Sequence, residues 1–427
     1  MIWPIMIGLL LLFLLASLPV AGTMANLAFL LNNLFSPLPL WRASGEISWA
    51  VATDFNLFAI PLFILLGQLL VISGIARTTY KAVDNWLSWL PGGLMHANIA
   101  TSALFAATSG SSVATAATMG TIALPEARRF GYNEGLFSAS IAAGGTLGIL
   151  IPPSINMIVY GFLTNTSIPK LFIAGIFPGI ILALMFMGYV LLACTVRPEL
   201  GSSKRDIPWK EKITSLKDLL PMLLIFGVVM GSIYAGFATP TESAALGVLV
   251  ALGLTAWKKQ MSWKNLLEAT EGTLRTTGMI MLILFAAYFL NFIFIALGLT
   301  DQIVGFISAT GLTPVQTFLL IVLIYIVLGF FVETLSMMVL TIPVIHPIVV
   351  QLGFDSVWFG IILIILVEIA LITPPVGLNL YVVQGIRQRG SIKDMLIWIA
   401  PFVLAGVILI LLLMKFPMIA LYLPGKF

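Results

Sequence analysis

Charge is the scarcest property of this chain. Only 9% of its 427 residues are charged, against roughly 25% in a soluble domain. That leaves no room for a sizeable aqueous domain, and the longest polar stretch is 197–218. Cysteine occurs once, as Cys194, which rules out an intramolecular disulfide. Two histidines and one cysteine argue against a His/Cys-type metal centre. No nucleotide loop or nucleophile–base pair stands out, which argues against an enzyme. The net charge of +4 does not imply nucleic acid, because the basic residues are interspersed in loops between apolar runs. What the chain has in abundance is apolar surface: 60% hydrophobic residues and a mean hydropathy of +1.10. An all-α polytopic membrane protein is expected.

Crossings are expected near 2–18, 20–37, 52–75, 133–165, 168–195, 219–238, 241–257, 276–298, 356–386 and 395–423. The first two are short for a span of about 20 residues, and one kinked entry segment is the alternative. The N-terminal run lacks the charged n-region of a signal peptide and reads as a retained span. Segments 97–125 and 317–349 carry polar residues at their centres and are expected to be re-entrant helical hairpins. With the N-terminus outside, 17 of the 21 basic residues fall in inner loops, among them Arg77, Arg128, Arg197 and Arg387. That asymmetry supports the orientation. Residues 77–90 and 262–275 mix charge with tryptophan and read as interfacial amphipathic helices. Strict inversion of the chain's second half would put such a helix at 300–312.

Two proline pairs interrupt apolar runs: Pro152-Pro153 in GGTLGILIPPSIN (144–156) and Pro374-Pro375 in EIALITPPVGLN (368–379). Proline removes a helical hydrogen bond and clashes with the preceding turn. Unwound backbone at membrane depth is tolerated only where protein or a water-filled cavity covers it. Pro152 and Pro374 lie 222 positions apart, so residues 1–195 and 219–427 read as two repeats joined by a basic linker at 196–218. An odd number of crossings per repeat inverts the second. Matched broken helices in inverted repeats are the plan of a secondary transporter, with its site near the midplane.

The residues available for chemistry cluster at these places. The first hairpin tip is Thr108-Ser109-Gly110-Ser111-Ser112, facing a run expected to be unwound from Gly144 to Asn156. Carbonyls freed near Gly144, Gly145 and the prolines, with the hydroxyls of Ser109, Ser111 and Ser112, suit a hard cation such as sodium; close packing of small residues is the competing explanation. The second tip carries Glu333, opposite Thr373-Pro374-Pro375 and Asn379. A carboxylate at membrane depth marks function by default. It could ligate sodium, take a proton or orient the substrate site; a structural bond to hairpin amides is the alternative. Glu368 is a second candidate, and Glu242 with Thr241 suits a helix N-terminus. His96 and His346 read as structural. No basic residue sits clearly inside the membrane. An anionic substrate would then be held by amides, by hydroxyls such as those of Ser112 and Ser154, and by nearby sodium, which favours co-transport.

The segments SGSSVATAATMGTIALPE (109–126), GGTLGILIPPSIN (144–156), GFATPTESAALG (236–247), ETLSMMVLTIPVIHPI (333–348) and ITPPVGLNLYV (372–382) resemble the large membrane subunit of tripartite ATP-independent periplasmic (TRAP) transporters, over essentially the whole chain. The resemblance implies an elevator-type transporter driven by sodium, taking up an organic acid delivered by a periplasmic substrate-binding protein. It also implies a separate small membrane subunit and the bacterial inner membrane. Overall similarity suggests the sialic-acid branch, with C4-dicarboxylates as the other class; a stand-alone sodium–carboxylate symporter is the alternative. Carried over, one sodium site falls on Ser109, Ser111, Ser112, Gly145 and Pro152. A second falls on Gly329, Glu333, Thr334, Thr373 and Pro374. The substrate falls between them, near Ser112, Ser154, Asn156 and Glu333.

Overall fold

A computed structural model describes residues 2–201, 206–299, 302, 305 and 311–426, and among the described residues there are helices and connections but no strand. The chain opens with α1 (Ile2–Leu15) and α2 (Val20–Phe35), of 14 and 16 residues. Where crossings were expected at 2–18 and 20–37 the structure therefore has two short helices, because Pro19 precedes and caps the second. α3 (Ser44–Ala52), α4 (Ala59–Ser73) and α5 (Ile75–Leu87) follow. Gly74, at φ 71°, ends the apolar α4 and lets the amphipathic α5 begin. α6 (Leu94–Ser109) and α7 (Ser112–Arg129) meet at Gly110-Ser111. α8 (Glu134–Leu150) and α9 (Ile155–Thr164) flank a break at 151–154, and α10 (Ile168–Val196) follows.

The polar stretch holds α11 (Trp209–Ser215), which packs on α5; there the Trp86 Nε1 donates to the Lys212 carbonyl at 3.1 Å. Next come α12 (Leu220–Tyr234), α13 (Pro240–Trp257) and α14 (Trp263–Ala296). α14 corrects one expectation. The amphipathic segment 262–275 and the crossing 276–298 are a single helix of 34 residues, because no proline interrupts the run. The helix expected at 300–312 lies mostly outside the described residues. α15 (Pro314–Leu328) and α16 (Thr334–Gln351) are joined through 329–333. α17 (Ser356–Ile372) and α18 (Leu378–Arg387) flank a break at 373–377, and α19 (Ile392–Lys415) and α20 (Met418–Leu421) follow. Ser112 and Thr334 open α7 and α16, and Glu134 and Ser356 open α8 and α17, each pair 222 residues apart. Both breaks carry a cis Pro–Pro bond.

By length and composition, 7 helices among the described residues can cross a bilayer, or 8 if the pair Trp209–Asp218 and Leu220–Tyr234, bent by 42°, counts as one. The chain is a multi-pass membrane protein. Two sets of helices emerge from the packing. α4 packs on α13 and α14, and α14 also on α2. The second set surrounds α8, which touches α6, α7, α10, α17, α18 and α19. Every residue of α8 from Gly135 to Leu150 is buried, as its apolar and small side chains all round require. A Cβ on Gly144 would lie 3.2 Å from the Ile99 Cα, and one on Gly145 only 2.7 Å from the Ala116 Cβ, so these glycines bring α6 and α7 against α8. The halves interlock: α18 packs on α7, and α16 packs on α9.

One end of this second set is ionic. Arg387 bonds Glu134 at 3.0 Å and reaches Asp394 at 3.5 Å. Counted above as a loop cation, Arg387 is 4% exposed. At another junction of the halves the contacts are neutral: the Tyr160 hydroxyl donates to the Ser356 carbonyl at 2.6 Å, and the His346 Nε2 shares a 3.0 Å bond with the Ser356 hydroxyl.

Candidate functional site

The first hairpin tip is pressed into the first break. A Cβ on Gly148 would lie 2.8 Å from the Ser111 carbonyl oxygen, and one on Gly110 would lie 3.3 Å from that of Pro153. The Ser112 hydroxyl crosses the same gap and donates to the Thr146 carbonyl at 3.0 Å. Ser111 caps α7, accepting from the Ala114 amide at 3.4 Å, and Ser109 shares a 2.9 Å bond with the Thr115 hydroxyl. On the far side Ser154 caps α9, accepting from the Met157 amide at 3.4 Å. Pro152 and Ser154 are buried in the break. Asn156 is 3% exposed, and its Nδ2 has no hydrogen-bond partner among the described residues. A buried amide donor left unpaired calls for an explanation.

The second tip is built differently. Glu333 caps α16, accepting from the amides of Leu335 and Ser336 at 3.1 and 3.0 Å. It also accepts from the hydroxyls of Thr334 and Ser336, at 3.1 and 3.0 Å. A carboxylate has about four lone-pair sites, and its own helix occupies them. Gly329 seats the tip on α17: a Cβ there would lie 2.5 Å from the Ala370 Cβ. The Thr373 hydroxyl donates to the Ile369 carbonyl at 2.6 Å, and Pro374, Pro375 and Val376 are exposed. Among the described residues no hydrogen bond joins Glu333 or Thr334 to Thr373 or Pro374.

Between the two tips lies a cavity of ≈ 660 Å³. Ser109, Ser111, Ser112, Asn156, Glu333 and Thr334 line it. Gly145, Pro152, Ser154, Gly329, Thr373 and Pro374 do not, and belong instead to the helix breaks and packing contacts behind it. α4 and α14 form the opposite wall. A cavity of ≈ 700 Å³ elsewhere, lined by residues such as Asp54, Asn165 and Tyr288, contains none of the expected site residues.

Four groups of this site escaped the sequence reading: Gln68 and Thr276 in the far wall, and Thr115 and Thr146 beside the first tip. Gln68 had a signal, being the one amide in the apolar run 59–73. Thr146 had none, because it acts through its backbone carbonyl from within α8. Other candidates lie apart. Glu368 is 1% exposed, outside the cavity lining; the Leu150 backbone approaches it without a bond of good geometry. Asn379, expected near the second tip, donates to the Ala142 carbonyl at 3.1 Å and so ties the halves together. The residue that caps α13 is Thr239, in a capping box with Glu242; the Thr241 hydroxyl donates to the Phe55 carbonyl at 2.9 Å. His96 bonds the Pro91 carbonyl at 2.8 Å.

Two broken helices with helix tips beside them around a partly open cavity, inside a many-helix membrane bundle, define a transporter rather than an enzyme. The chain belongs to the tripartite ATP-independent periplasmic transporter family, DctM component, which matches residues 7–419. It is 33% identical over 400 residues to the C4-dicarboxylate TRAP transporter large permease protein DctM of Pseudomonas aeruginosa, covering 92% of this chain and 90% of the relative. It is 31% identical to the sialic acid TRAP transporter large permease protein SiaM of Vibrio cholerae, over 88% of this chain and 87% of the relative. It is 30% identical to the isethionate TRAP transporter permease protein DctMQ of Oleidesulfovibrio alaskensis, over 99% of this chain and 66% of the relative. Relatives named for three substrates are thus almost equally similar, and similarity does not single out the sialic-acid branch. The YdaH transporter of Alcanivorax borkumensis shares the fold, with a TM-score of 0.58, 16% identity and coverage of 96% of this chain and 99% of that one.

Proposed function

We propose that this large permease subunit performs sodium-coupled secondary uptake of an organic acid, the broad class that includes the C4-dicarboxylates and sialic acid for which its relatives are named, across the bacterial inner membrane. The observation that carries the reading is the charge of the cavity. Among the described residues its lining includes the Glu333 carboxylate and no lysine or arginine. An organic anion entering it meets no fixed positive charge, and an unpaired charge in a low-dielectric site is costly. A co-bound cation removes that cost. The first tip and break offer oxygen donors suited to sodium on Ser109, Ser111, Ser112 and Pro152; Gly145, expected in unwound backbone, lies instead inside α8, which is helical to Leu150, and serves the close approach of α7. A second site draws on Gly329, Glu333, Thr334, Thr373 and Pro374. Because Glu333 already serves its own helix, its contribution to the second site is mainly its charge. Ser112, Asn156 and Glu333 surround the substrate, and Ser154, expected beside them, caps α9 behind the cavity lining.

The two packed sets of helices suit an elevator. The set around α8 carries the tips and slides against α2, α4, α13 and α14, as two inverted repeats (1–195 and 219–427) joined by the linker 196–218. A small membrane subunit supports the fixed set, and a periplasmic binding protein delivers the acid. The test is uptake into proteoliposomes holding both membrane subunits, with binding protein and an imposed sodium gradient. Accumulation above equilibrium that vanishes when potassium replaces sodium is expected. Equilibration without accumulation would mean a channel, and full uptake without binding protein would mean a stand-alone symporter.

A further inference from the structure

Most polar groups lining the cavity belong to the two tips and the α9 N-terminus, with Gln68 and Thr276 on the wall opposite. The hydroxyls of Ser109, Ser112, Thr334 and Ser336 are already bonded within the protein. Among the described residues lining the cavity, the unpaired buried donor is Asn156 Nδ2, on the first turn of α9, where backbone amides and the helix dipole also favour an anion. Facing this end, α4 and α14 contribute Ile64, Val71, Met279, Ile280, Leu282 and Ile283. Gln68 and Thr276 are the polar residues of that wall among those lining the cavity. The second tip adds a negative charge in Glu333.

Resting on the organic-acid reading above, we infer that the cavity takes a monocarboxylic acid with an apolar body, its carboxylate at Asn156 and the α9 N-terminus and its body against α4 and α14. A dicarboxylate would set its second charge against the buried Ile64, Ile280 and Ile283 or beside the like charge of Glu333, and both are unfavourable; Val71, Met279 and Leu282 at the exposed part of the wall add apolar surface. A polyhydroxylated acid would leave several hydroxyls without partners on the same wall, each a loss of the bond it had in water. An apolar body instead gains from every methylene it buries.

The experiment is a thermal-stability titration of the purified transporter in saturating sodium. The probes are butanoate, hexanoate, octanoate and phenylpyruvate, compared with succinate, N-acetylneuraminate and isethionate. Affinity should rise about fourfold per buried methylene along the aliphatic series until the cavity is filled. The three polar acids should bind at least tenfold more weakly than hexanoate or phenylpyruvate. Met279→Gln should flatten the chain-length series, with the largest loss for the longest acids, and Asn156→Leu should weaken every member alike; the melting temperature of each variant without ligand reports whether it folds. Succinate or N-acetylneuraminate binding as tightly as hexanoate would overturn the inference and leave the organic-acid reading intact. If no acid of any class shifts the melting temperature, both fall.

Discussion

At the first tip, Ser112 reaches across the gap to Thr146 on α8, and Gly148 lets the Ser111 carbonyl come close; at the second tip, Glu333 turns back onto its own helix. The first break is buried, whereas Pro374, Pro375 and Val376 of the second are exposed. A neutral tip is thus closed by contacts to its partner helix. A charged tip is completed by its own amides and hydroxyls, and keeps its charge facing the cavity without relying on the break beside it. Quasi-symmetric elements 222 residues apart have become a tight half and an open half, and the difference separates what holds the site together from what charges it.

Widening the tight half should have the largest effect. Gly148→Val places a branched side chain where even a Cβ is 2.8 Å from the Ser111 carbonyl. Uptake should be lost, and stability should fall by about 1–3 kcal/mol, the usual cost of overpacking; uptake assays and thermal unfolding of the purified protein check this. Glu333→Ala should sharpen the contrast. It removes an N-cap worth about 1 kcal/mol, so melting changes little, yet sodium-dependent uptake should disappear with membrane insertion normal. Unchanged uptake would return Glu333 to a purely structural role. The smallest effect is expected for Ser112→Ala. Losing one neutral hydrogen bond costs about 1 kcal/mol, and the sodium concentration for half-maximal uptake should rise while the maximal rate is largely kept.

Much of this architecture was legible because prolines and charges are expensive where they stand. Pro152-Pro153 and Pro374-Pro375 announced both breaks, and Glu333 stood out as an acid in an apolar hairpin. The unbroken α14 was not legible, since an amphipathic start and an apolar continuation share one helical period whether or not a turn divides them. The burial of Arg387 was hidden as well. Its partners Glu134 and Asp394 lie on α8 and α19, and the Glu134 pairing spans 253 residues of sequence. Which carbonyls face the site is equally mute in a sequence, because every residue has one. That is why Thr146 went unnoticed although its neighbours did not.

The most direct test is the melting temperature of the purified protein in sodium chloride against potassium chloride at equal ionic strength, with no substrate or partner present. A ligand that binds only the folded state stabilises it by mass action. The account predicts a sodium-specific, saturable rise that Gly148→Val abolishes and Ser112→Ala shifts to higher concentration. Identical melting in the two salts across the whole titration would contradict it.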